Sequence, residues 1–209
     1  MGGLIYLLAG NPRARSGKPD PAMRAFFREV GKAKPRVAYI GTASEDDREF
    51  FEAMRARLQG SGAGEVELVP LCGATADPVA ARADAVFVSG GDVAGGMESL
   101  LAQDGAVSAL RERFEAGIPF MGLSAGSIML SRGWVRWAEE DGGQDTLIEC
   151  LGFAPIYCDV HGEADGWDEL KALLRLLPKG SVGYAIRAGD ALRICDGVVE
   201  PCSPCATRA

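Results

Sequence analysis

The chain has 209 residues, 47% hydrophobic and 24% charged, which are the proportions of a globular protein long enough to bury a core without disulfide or metal staples. Lys and Arg number 22 against 29 Asp and Glu, a formal net charge of −7 that argues against nucleic acid or an anionic membrane as partner. No run reaches the roughly 18 apolar residues of a membrane span. The apolar start, Met1 to Ala9, lacks the basic lead and full apolar stretch of a secretion signal, so a first buried strand and a cytoplasmic protein are expected.

In chain order, Leu4–Ala9, Arg36–Ile40, Glu65–Pro70, Ala85–Val88 and Pro119–Leu123 read as short strands, mostly apolar on both faces as buried parallel strands are. Helical segments lie between them at Pro21–Lys32, Glu45–Gln59, Ala94–Gln103 and Ala106–Ala116. Asp20 caps the first, with Pro21 at its first position, and Ser44 with Glu45, Asp46 and Asp47 opens the second. The glycines, 28 in all, fall at the ends of the apolar runs and punctuate strand-to-loop junctions. This alternation predicts an α/β fold, a parallel sheet with helices on both faces. After Ser131 the rhythm changes. Trp134–Ala138 and Ile148–Val160 read as strands, Trp167–Leu177 as a helix, and Val182–Ile186, Ala191–Ile194 and Val198–Glu200 as a closing set of strands. No linker divides the chain, so one domain is expected over 1–209, with a short tail from about 201.

Cys72, Cys150, Cys158 and Cys195 sit in apolar surroundings, where a reduced Cys acts as a small hydrophobe. Cys202-Ser-Pro-Cys205 lies in a Pro-containing tail without the second ligand pair that zinc requires, so no metal is expected.

Chemistry concentrates at Gly122-Leu123-Ser124-Ala125-Gly126, between an apolar strand and an apolar helix start. Gly-x-Ser-x-Gly in that setting is a nucleophile elbow: the turn is so tight that small residues must flank the Ser, and its hydroxyl is pushed out above the strand ends. The N–H of Ala125 then points where an oxyanion forms. A Ser hydroxyl needs a base near neutral pKa, and the chain contains one histidine, His161, at the end of the strand-like Ile156–Val160. A carboxylate should orient the imidazole, and Glu139-Glu140-Asp141 follows the strand-like Trp134–Ala138. Val86-Phe-Val-Ser-Gly-Gly-Asp92 runs a strand into a Gly pair. Gly90, Gly91 and Asp92 are therefore the candidates for a second oxyanion donor, and the Rossmann spacing is absent.

With Ser124-Ala-Gly at the elbow, Val-Ser-Gly-Gly-Asp one strand earlier, and Leu151-Gly-Phe-Ala-Pro155 leading to His161, the chain resembles the peptidase E and cyanophycinase family of serine peptidases from about Leu4 to Ile194. The resemblance implies a three-layer α/β/α sandwich like the class I glutamine amidotransferase domain (flavodoxin-like), with Ser in place of Cys. It also implies the chain order Ser, acid, His. Glu139 lies 15 residues after Ser124 and His161 lies 37 after it, which makes Glu139 the first choice of acid and Glu140 the second. Where aspartyl dipeptidases of the family carry an Arg after the His, this chain has Gly162-Glu163-Ala164-Asp165-Gly166, so Glu163 and Asp165 are candidate substrate-binding residues of the wrong sign for an acidic substrate. Ser-Gly-Gly-Asp also stands where Gly-Gly-Gly-Asn is common. The reading is a cytoplasmic serine hydrolase acting on small peptides, with no cofactor, no nucleic-acid or membrane partner, and a homodimer left open. Its rivals are a non-catalytic amidotransferase-like binding module and an esterase using the same Ser124.

Overall fold

A computed structural model describes residues 3–10, 19–69, 82–138 and 143–202. Pro70, Cys72, Cys205 and the three acids Glu139, Glu140 and Asp141 lie outside those residues.

The first strands are four-residue apolar segments buried on both faces: β1 (Ile5–Leu8), β2 (Val37–Ile40), β4 (Ala85–Val88) and β5 (Phe120–Leu123). A shorter β3 (Val66–Leu68) completes the parallel set, and β10 (Ala191–Cys195) and β11 (Val198–Pro201) add antiparallel to its far side. The seven-stranded order is β11-β10-β1-β5-β4-β2-β3, so the first strand of the chain lies inside the sheet, between β5 and β10. Side chains alternate across it. Ile5, Leu7, Ile40, Val86, Val88 and Phe120 face one core, while Tyr6, Leu8, Tyr39, Phe87 and Met121 face the other.

On the second face pack α1 (Pro21–Val30) and α2 (Arg48–Ser61), through Met23, Phe26 and Phe27 and through Phe51, Met54 and Leu58. On the first pack α3 (Val93–Leu101), α4 (Ala106–Glu115) and α5 (Ala125–Leu130). Outside this layer lie a hairpin of β6 (Gly133–Arg136) and β7 (Thr146–Glu149), a parallel pair of β8 (Tyr157–Val160) and β9 (Gly183–Ile186), and α6 (Asp168–Leu176). Leu170, Ala172 and Leu173 of α6 pack against Val135. The architecture is the expected α/β/α sandwich about a mostly parallel sheet. Among the described residues no helix is long and apolar enough to cross a membrane.

Three boundaries differ from the sequence reading. Asp20 does cap α1, its carboxylate accepting from the N–H groups of Ala22 and Met23. The second helix, however, starts at Arg48 and not at Glu45: Thr42–Ser44 closes a 3₁₀ turn, Glu45 and Asp46 take φ of 54° and 53°, and Asp47 is the cap, bonded to Phe50 N–H at 2.6 Å. The strand expected over Ile148–Val160 is two strands with no strand structure at 150–156, a segment in which Gly152 takes φ of 66° and Pro155 offers no donor. The closing strands are not one set, because β9 pairs with β8 while β10 and β11 join the main sheet.

Candidate active site

Ser124 is the single residue between β5 and α5, with φ 51° and ψ −119°. Such a conformation in a non-Gly residue stores roughly 1–3 kcal/mol and persists only where the surroundings impose it. Here they do. Ser124 N–H donates to Leu8 O at 2.8 Å, Ser127 N–H donates to Ser124 O at 2.8 Å, and the buried Ser127 Oγ donates to the same Leu8 carbonyl at 2.9 Å. The flanking glycines are sterically required. A Cβ on Gly122 would stand 2.5 Å from Gly126 O, and one on Gly126 would stand 2.2 Å from Val88 O. The Ser hydroxyl is thus carried above the ends of the parallel strands on a turn no bulkier residues could form.

The histidine expected as base arrives from β8, which packs on α5; Cys158 Sγ lies 3.8 Å from Ser127 O. His161 follows Val160 with φ 46°, and its N–H donates to Ile186 O at 2.9 Å, continuing the β8–β9 pairing by one residue. Its Nε2 lies 2.8 Å from Ser124 Oγ. For Nε2 to accept the hydroxyl proton, the imidazole proton must sit on Nδ1, a tautomer assigned from the chemistry. Among the described residues no group accepts from Nδ1. The two acids expected to do so, Glu139 and Glu140, lie outside them.

On the other side of Ser124 runs the Gly pair after β4. A Cβ on Gly90 would lie 3.3 Å from Ser124 Cβ and 3.9 Å from its Oγ, so this backbone passes directly beside the Ser124 hydroxyl. Gly91 takes φ of 143°, and a Cβ there would fall 1.7 Å from Ala43 O. The N–H groups of Gly90, Gly91 and Ala125 donate to no group among the described residues. Asp92 differs. Its N–H donates to Ala43 O at 2.8 Å and its carboxylate caps α3 through Gly95 N–H, so of the three candidates for the second oxyanion donor Asp92 is the one whose amide is already committed.

The acidic segment after His161 is held by backbone amides. Glu163 Oε1 accepts from Ala188 N–H at 2.7 Å, and Asp165 Oδ1 accepts from Trp167 N–H at 2.9 Å where α6 begins. Arg187, following Ile186, is exposed and makes no ion pair among the described residues. The sequence reading did not single out Asp159. It is 4% exposed, two residues before His161, and accepts from Val160 N–H at 2.7 Å. Burial, reinforced by Glu169 and Asp165, pushes its carboxyl up to about 6 against the opposing amides of Val160 and Leu170. An acid inside an otherwise apolar strand next to the lone histidine was the available signal.

No sequence among the curated proteins matches the chain. Among solved structures it is similar to a peptidase from an acI-B1 Actinobacterium, at 18% identity with a TM-score of 0.68 over 96% of this chain and 88% of that one. It is likewise similar to a protein of Listeria monocytogenes EGD-e that carries the name of a peptidase E, at 17% identity with a TM-score of 0.69 over the full length of both. At such identities these two likenesses speak for the fold. The model of peptidase family S51 matches residues 6–201, a span that holds both members of the Ser–His pair. The chain belongs to peptidase family S51 and is a serine peptidase.

Proposed function

We propose that the protein hydrolyses short peptides in the cytoplasm, with dipeptidase-like substrates, through Ser124, His161 and an orienting Glu139 (Glu140 in second place). The observation that carries this reading is the 2.8 Å approach of His161 Nε2 to a Ser124 hydroxyl on a strained elbow. Ser124 Oγ attacks the peptide carbonyl while its proton passes to Nε2. The N–H groups of Ala125 and Gly91 face the resulting oxyanion. The C–N bond then breaks as the imidazolium returns the proton to the leaving amine, and the same His takes a proton from the water that hydrolyses the acyl-enzyme. A dipeptide-library screen with Ser124→Ala as control tests the proposal. If no peptide is cleaved, although a fluorophosphonate probe labels Ser124, the substrate is another acyl compound. If no labelling occurs, the pair is not a working nucleophile and base.

Specificity follows from charge. Glu163 and Asp165 are fixed on the turn that begins at His161, so they place negative potential at that rim of the site. Close like charges disfavour binding, and opposite charges steer encounter. Asp-Leu is therefore expected to be the poorest of Asp-Leu, Ala-Leu and Lys-Leu in kcat/KM, by about tenfold or 1.4 kcal/mol against the best. If Asp-Leu leads the series, Arg187 and not the acidic pair faces the first residue of the substrate.

Thiols and metals take no part in this chemistry. Burial pushes the Cys150 thiol up to about 12 and raises those of Cys158 and Cys202 as well, so none of the three is a ready thiolate. Iodoacetamide and EDTA should each leave peptidase activity intact. Loss on chelation, with zinc found bound, would promote Cys202 and Cys205 to ligands.

A further inference from the structure

The described residues bury two carboxylates, and they differ in one respect. Asp20 caps α1 and pairs with Arg57 at 2.8 Å, whereas no cation among the described residues pairs with Asp159. Asp159 lies between β8 and the first turn of α6. Its Oδ1 accepts from Val160 N–H, the Leu170 amide of α6 favours its ionised form, and its Oδ2 stands 3.1 Å from where a Cβ of Gly162 would be. That glycine is enclosed further by Asp165 Oδ1 at 3.3 Å and by the Trp167 ring at 2.9 Å. Trp167, the cap position of α6, takes φ of 68° and has no side-chain cap of its own. The carboxylate therefore lies packed where the end of β8, the turn beyond His161 and the start of α6 meet.

No cation among the described residues offsets its charge. Glu169 of α6 and Asp165 of the turn are like-charged. Lys171 of α6 is paired with Asp168 at 3.3 Å. Opposite Asp159 on β9 is Ala185, and β6 offers Val135 to the core that α6 covers. A buried, unpaired carboxylate destabilises a fold, and one beside reacting groups points to function.

We propose that Asp159 is a positioning residue for His161: its carboxylate fixes the His161–Gly162 turn so that Nε2 stays on Ser124 Oγ. It touches neither substrate nor reacting atoms, and the inference rests on the Ser124–His161 reading above. Only the ionised form serves fully, because a protonated carboxyl makes a weaker hydrogen bond with the Val160 amide. As pH falls through about 6 the turn loosens. The stability effect has the opposite sign. The carboxyl is raised from 3.8, so the native state binds more protons than the unfolded chain between about 4 and 6, and stability falls as pH rises through that window.

The test is Asp159→Asn beside wild type and His161→Ala, read by the rate of fluorophosphonate labelling of Ser124 and by peptidase kcat and KM. Asn should lower kcat and labelling by about 10–100-fold, as displacements near 1 Å do, with KM changed less than about twofold. Its melting midpoint at neutral pH should not fall, and the dependence of that midpoint on pH between about 4 and 6 should flatten. Wild-type kcat in Asp159→Asn, or a kcat loss matched by a lowered midpoint, would each overturn the proposal. If wild type labels and the variant labels equally, this inference alone falls. If wild type does not label, the Ser–His reading falls and takes the inference with it.

Discussion

Ser124→Ala and His161→Ala should each lower hydrolysis by a factor of order 10⁴–10⁶, and the double variant should be no worse than the more damaged single one. Either change removes the same event, transfer of the hydroxyl proton across the 2.8 Å between Oγ and Nε2. Once one partner is gone the other has nothing to act with, so the losses cannot add. On the proposed mechanism, what survives is the rate supplied by substrate binding and by the amides of Gly91 and Ala125, which neither substitution touches. Both side chains sit at the surface of the site and not in either core, so folding should be nearly unaffected. Losses that multiply in the double variant, or appreciable turnover by Ser124→Ala with a peptide, would remove the pair from the mechanism.

Gly126→Ala should be the most damaging change that leaves every polar group of the site in place. The added Cβ would lie 2.2 Å from Val88 O and 2.6 Å from Ser89 O, both backbone atoms, so no side chain can move aside. Either α5 lifts away from β4 or β4 shifts, and in both cases Ser124 moves with the first turn of the helix. Overpacking of a core costs about 1–3 kcal/mol and occasionally more. The displaced nucleophile should lose about 10²-fold or more in kcat/KM. Gly60→Ala is the matched control. It lies inside α2 with nothing within 4 Å of its added Cβ, and replacing a helix-interior Gly should stabilise by about 0.5–1 kcal/mol. Activity and melting midpoint within error of wild type for Gly126→Ala would mean the elbow is looser than described.

Most of the fold was legible because its signals are local. Four-residue apolar segments ending in Gly can be little other than buried strands, and Asp20-Pro21 marks a helix start on its own. The errors arose where tertiary contact decides. Ser44-Glu45-Asp46-Asp47 contains three residues able to open a helix, and only the closure of the 3₁₀ turn beneath α3 selects Asp47. Nothing in Ile148–Val160 shows that its first residues pair with β6 and its last with β9. At the site, Ser124 and His161 were readable from a motif and from the count of one histidine. That Asp92's amide is engaged by Ala43 was not readable, because the partner lies on a different loop. Asp159 showed in the sequence as an acid inside an apolar strand beside the lone histidine. Its importance rests on burial without a cation, which no spacing encodes.

The position of β1 bears on how the protein is made. Ile5 pairs with Phe120 on one side and with Ile194 on the other, so β1 lacks both neighbours until β5 and β10 have been made after it. Contacts this distant in sequence slow folding, and the apolar strands β2, β4 and β5 remain exposed meanwhile. The elbow waits on the same event, since Leu8 O holds both the Ser124 amide and the Ser127 hydroxyl. A nascent chain therefore completes the Ser124 turn late, when β5 and β10 close on either side of β1.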